Sequence, residues 1–187
     1  MRYALPSALA LLLLVVSFPS SALAQSGPDD VIVSTSQGLA VQAHLGGHSI
    51  STADNSFSGA GISLAAFYGL TDLLGARASF AVSNVESEQD LSHLDLSAQF
   101  SFRSGEDRFL PYARGGVSRV ALSQPFGDGI TEIGFTTGLG LNYFLSPQLA
   151  LDASLDFSLI TIDDRFAGTQ GAGTGRLAVG VSWFPTR

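Results

Sequence analysis

From Gly38 onward, apolar and polar residues alternate with a period of two through eight segments of about ten residues each. The segments run over Leu39–Gly46, Ala60–Tyr68, Leu74–Ser83, Leu94–Arg103, Leu110–Leu122, Ile133–Tyr143, Leu149–Leu159 and Arg176–Trp183. The seventh is the cleanest. Leu149, Leu151, Ala153, Leu155, Phe157 and Leu159 fall on one face, and Ala150, Asp152, Ser154, Asp156 and Ser158 on the other. Successive side chains of a strand point to opposite faces, so this alternation predicts strands rather than helices. In the fifth and least regular segment, Ala113, Gly115 and Val117 share one face, with Tyr112, Arg114, Gly116 and Ser118 on the other.

The two faces differ in bulk as well as polarity. One is large, apolar and nearly uncharged; the other is rich in Gly and Ser and holds Arg77, Asp95, Arg114, Asp152 and Asp156. A soluble sandwich or lipocalin-like barrel would put its apolar face inside and its charges outside. Here the apolar face suits lipid, and the small polar face suits the lumen of a narrow barrel. Ten residues also match the length of a tilted membrane-crossing strand. The expected fold is all-β: an eight-stranded antiparallel transmembrane up-and-down β-barrel.

The connections alternate in length. Short ones fall near Thr71-Asp72, Ser104–Arg108 and Ser146-Pro147; longer ones fall at Ser49–Ser58, Glu86–Leu91, Ser123–Glu132 and Ile162–Gly175. Short periplasmic turns and longer external loops are the asymmetry of such barrels. Tyr68, Phe100, Phe102, Phe109, Tyr112, Tyr143 and Trp183 gather at or near the turn ends, where an aromatic girdle at the inner interface is expected.

Composition narrows the function. The chain has 187 residues and no cysteine, which removes disulfides, thiol nucleophiles and Cys-based zinc sites. A net charge of −7 excludes a basic nucleic-acid binder. The first 24 residues read as a signal peptide: Arg2, then the apolar stretch Ala8–Val16, then the cleavage site Ala22-Leu23-Ala24. That apolar run is too short to span a bilayer as a helix. Residues 25–36 read as a short periplasmic leader and 37–187 as the barrel.

Several stretches together resemble the small eight-stranded outer-membrane barrels of OmpA, OmpX and opacity-protein type. They are "YGLTD" at Tyr68–Asp72, "LPYARGGV" at Leu110–Val117, "GLGLNYFLSPQLALDASLDF" at Gly138–Phe157 and "LAVGVSWF" at Leu177–Phe184. The resemblance implies an outer-membrane location and contact with outer-membrane lipid and lipopolysaccharide. It also implies insertion by the outer-membrane assembly machinery, which reads a terminal aromatic residue. Here Trp183-Phe184 is followed by Pro185-Thr186-Arg187. A monomer with a structural or surface-interaction role is expected.

An enzyme that modifies lipid A is the alternative. It needs a Ser-His-acid group on the outer face or rim, and only His48-Ser49 and Ser92-His93 lie near loop ends. His44 and His48 share the inner face but stand too far apart on a strand to chelate, so no metal or cofactor is expected. The loops hold Asp54, Glu86, Glu88, Asp90, Asp128, Glu132, Asp163 and Asp164 against Arg165 alone, an acidic solvated rim. The run Gly168–Gly175 lacks the lysine and helix of a phosphate loop and reads as a mobile loop.

Counting pairs outward from the turns brings Arg114 beside Asp152 and Asp156, with Arg77 and Asp95 alongside. The expected result is a lumenal Arg–Asp network that holds the barrel closed rather than catalysing, since buried charges are costly unless paired.

Overall fold

The structure is a computed structural model that describes residues 37–52, 56–85, 89–102, 108–123, 129–164 and 168–185. The expected signal peptide and leader, and the loop residues Asp54, Glu86, Glu88, Asp128 and Arg165, lie outside them. Eight strands form: β1 (Gly38–Ser51), β2 (Ser56–Gly69), β3 (Leu74–Val85), β4 (Gln89–Ser101), β5 (Phe109–Ser123), β6 (Ile130–Ser146), β7 (Leu149–Asp164) and β8 (Gly168–Trp183). Each pairs antiparallel with its sequence neighbour, and β8 returns to β1 to close the barrel.

The register sets the tilt. The row of partners that leaves β1 at Ala40 passes through Phe67, Arg77, Ser97, Gly116, Thr136, Ser158 and Thr174, and re-enters β1 at Ile50. Such a stagger forces the strands to lean against the barrel axis. Alternation then sorts the side chains. Leu45, Phe80, Leu96, Phe135, Leu155 and Leu177 point outward, while Gln42, Arg77, Asp95, Arg114, Asp152 and Asp156 are buried inside.

The strands are longer than the alternating segments, at 12 to 17 residues. They extend into stretches expected as loops. The largest correction concerns Gly168–Gly175, which is strand, not loop: Thr169 to Gly175 pair with Asp163 back to Phe157. Strand pairing uses backbone groups alone, and a glycine-rich segment lacks only the side-chain pattern by which strands are recognised.

The lumen is layered. At the turn end Ala40, Phe67, Leu110, Phe144, Ala150 and Phe184 form an apolar cluster. At the loop end Ile50, Val85, Leu91, Val120, Leu122, Ile160 and Ala172 form another, with Phe57 packed against it. Between them the large inward side chains are polar or charged, with the small Ala65, Ala81 and Ala178 among them. The turn rim is tightened by Thr71, whose Oγ1 accepts from the amides of Leu73 and Leu74 at 3.2 and 3.0 Å.

Candidate functional site

Small residues make room for large ones in the polar middle. A Cβ added to Gly138 would fall 2.1 Å from Asp156 Oδ1 and 3.1 Å from Arg114 Nε. A Cβ on Gly140 would strike the Tyr112 ring at 2.2 Å. The glycines of β6 therefore vacate the volume that the side chains of β5 and β7 occupy.

Arg114 (β5) grips Asp156 (β7) in two-point fashion. Its Nε donates to Oδ1 at 2.5 Å and its Nη2 to Oδ2. Arg176 (β8) donates to Asp95 Oδ2 across the lumen at 2.6 Å and stands 3.7 Å from Asp156 Oδ2. Asp95 also accepts from Ser118 at 2.5 Å and from Ser79 at 3.1 Å. Ser79 in turn accepts from Arg77, whose Nε donates to Gln42 at 2.8 Å, and Gln42 donates to Ser182 at 3.0 Å. One chain of contacts thus joins β8, β1, β3, β4, β5 and β7. Its longest reach, Arg176 to Asp95, ties strands that are not neighbours in the sheet.

Asp152 belongs to a second group. His44 Nε2 lies 2.7 Å from its Oδ1, and the Tyr112 hydroxyl donates to its Oδ2 at 2.9 Å. The Arg114 guanidinium sits over the Tyr112 ring, 5.6 Å from its centre. Two expectations are thereby corrected. Asp152 is held by His44 and Tyr112 rather than by Arg114, because the register sets Arg114 opposite Gly138 and Gly138 opposite Asp156. Strand β6 begins at Ile130, inside the expected loop, and β6 bulges between Phe144 and Ser146; both shift the count. Tyr112 is no girdle residue either. It is 1% exposed and lies in the lumen, whereas Tyr68, at 55%, faces outward. Phe100, Phe102 and Phe109 are also outward and exposed, and Tyr143 and Trp183 are half-buried on the outward side of β6 and β8. Phe100 packs edge-on against Phe102, and Phe109 packs against Tyr143 with the rings tilted by 45°.

Arg176, His44 and Tyr112 join the network beyond the residues expected from the sequence. Each stands on the polar face of its segment, so parity alone was the available signal.

The structure also brings Ser63 Oγ within 3.4 Å of His44 Nδ1, in line with Asp152. This Ser-His-Asp series lies in the lumen between the two apolar clusters, and Tyr112 shares its carboxylate. Together these contacts form one hydrogen-bond chain. His48 and His93 are buried with rings 6.1 Å apart, edge to face. Ser49 and Ser92, one residue from each, alternate to the opposite face, so neither sequence pair forms a nucleophile and base. Among the described residues no three His, Asp or Glu side chains gather closely enough to hold a metal.

A closed eight-stranded barrel, apolar outside, charged within and belted with aromatics at one rim, defines a membrane-spanning barrel of the outer-membrane kind. The model of the outer membrane protein beta-barrel domain family matches residues 8–183, and the chain belongs to that family. Its fold is similar to that of Neisserial surface protein A (21% identity, TM-score 0.64), over 79% of this chain and 97% of that one. It is also similar to OprG of Pseudomonas aeruginosa (13%, TM-score 0.53; 82% and 98% covered). A third likeness is to the attachment invasion locus protein Ail of Yersinia pestis (18%, TM-score 0.51; 79% and 99% covered). No curated protein matches the sequence.

Proposed function

We propose that this protein is a non-enzymatic outer-membrane barrel with a structural or surface-interaction, adhesin-like role, acting as a monomer in contact with lipid and lipopolysaccharide. The observation that carries this reading is the lumen. Apolar clusters occupy both ends and a cross-braced ionic layer fills the middle, which leaves the outer wall and the loop rim as working surfaces. The ionic layer holds the barrel closed: its contacts join strands across the lumen and compensate charges that would be costly unpaired.

The lipid-A-modifying alternative needs a Ser-His-acid group on the outer face or rim. His44, His48 and His93 all point inward, which favours the first reading. Mass spectra of lipid A from cells with and without the gene test the choice. The expected result is identical spectra together with altered attachment of the cells to surfaces. A lipid A species that appears only when the gene is present overturns it.

A further inference from the structure

The outward face of β5 carries an anomaly. From the turn end it reads Phe109, Pro111, Ala113, Gly115, Val117 and then Arg119, which is exposed. Between the inner aromatic girdle and the strand tops, Arg119 is the one charged side chain that the described residues place on the outer wall. Its row partners are Leu94 on β4 and Ile133 on β6, both exposed and apolar. Among the described residues it has no ion pair and no side-chain hydrogen bond.

Height explains the position. Arg119 lies ten residues beyond Phe109 on the same strand. At ~3.4 Å per residue and ~40° of tilt, that is about 25 Å of height, the thickness of the apolar band of such barrels. Phe109 belongs to the inner girdle, so Arg119 stands at the opposite interface, where the headgroups of the outer leaflet begin. The next outward row above it is Ser92–Ala121–Thr131, where the Ser92 hydroxyl donates to the Ala121 carbonyl at 3.5 Å and Thr131 is exposed. Asp90, on the row above that, pairs with Ser123 and bonds to Asn84. A guanidinium with an exposed hydroxyl diagonally above it on the neighbouring strand matches a phosphate, to which arginine donates two parallel hydrogen bonds. Asp90, just above, would otherwise repel phosphate from this part of the rim.

We propose that Arg119, with Thr131, forms a binding site for the phosphate of an outer-leaflet glycolipid on the β5–β6 wall. The site deepens the lipopolysaccharide contact proposed above and rests on that reading. A lipid A spectrum reads that role and does not depend on this contact, so the two fail separately.

The test uses the full chain refolded in micelles and native mass spectrometry, with bisphosphorylated lipid A as the probe. The wild type is expected to retain one lipid. Arg119→Gln is expected to weaken retention about tenfold, the worth of one charge-assisted contact. Arg119→Lys should fall between, and Thr131→Val should lose less than Arg119→Gln. Dephosphorylated lipid A should bind the wild type as weakly as the phosphorylated lipid binds Arg119→Gln. Equal retention by wild type and Arg119→Gln would mean that the arginine merely reaches into water, and overturns the proposal. Competition by inorganic phosphate as strong as that by the lipid also overturns it, since the site would then be for a free anion. The boiled-versus-unboiled gel shift shows that each variant is folded. Should Arg119→Gln fail to fold, Arg119→Lys and Thr131→Val decide the matter by the same readout.

Discussion

The inward face of this barrel is built in two chemistries. Its ends are apolar, with Phe67, Leu110, Phe144 and Phe184 at the turns and Ile50, Val85, Leu91 and Ile160 at the loops. Its middle is ionic, with Arg77, Arg114 and Arg176 against Asp95, Asp152 and Asp156. The ends pack without direction, so any side chain of similar volume serves there. The middle is directional: Arg114 fits Asp156 through two bonds, and displacing either partner leaves a charge in a closed space. The ends therefore plug the lumen, and the middle ties together strands that the barrel's stagger sets across from one another.

Removing one ion should have the largest effect. Asp156→Leu deprives Arg114 of its two-point acceptor and leaves Arg176 with Asp95 alone. The expected loss is about 3–5 kcal/mol in denaturant unfolding in micelles. A loss under ~1 kcal/mol would show that the middle is not a brace.

The apolar end comes next. Phe144→Ala should cost about 3 kcal/mol and open a path for water at the turn rim. Planar-bilayer recordings should show a leak that the wild type lacks. An unchanged baseline would mean that the ionic layer alone seals the lumen.

Tyr112→Phe keeps the ring under Arg114 but withdraws the hydroxyl from Asp152. With His44 still in place, the loss should be about 1–2 kcal/mol. An effect as large as that of Asp156→Leu would make Tyr112 the keystone of the group.

The finest test is a comparison of couplings. Arg114→Met with Asp156→Leu should show a coupling energy of about 1–3 kcal/mol. Arg114→Met with Asp152→Leu should show a few tenths only, because Asp152 is bonded to its own partners. The reverse order would contradict the register between β5, β6 and β7.

Much of this molecule was legible in its residues. Period-two alternation is a local property, so the eight strands, the lipid face and the inward face of Arg77, Asp95, Arg114, Asp152 and Asp156 followed from reading along the chain. Local reading failed where pattern was thin. The glycines before Arg176 hid the upper half of β8, because glycine marks neither face of a strand. The place of Tyr112 near a turn suggests the girdle, although its parity with Arg114 points it inward.

The pairings inside the lumen are of another kind. Whether Arg114 meets Asp152 or Asp156 depends on register across two interfaces. A bulge at Phe144 or a loop three residues shorter changes that answer without altering the alternation. Arg176 meets Asp95 because the staggered closure of β8 on β1 brings opposite walls together at that height. Arg119 was outward by its parity; its place at the outer interface required the strand to be laid against the girdle below. The amino-acid order determined which face each side chain takes, since that needs only the geometry of one strand. Only the closed barrel decided who meets whom, since contacts across a lumen depend on tilt and stagger summed over all eight strands.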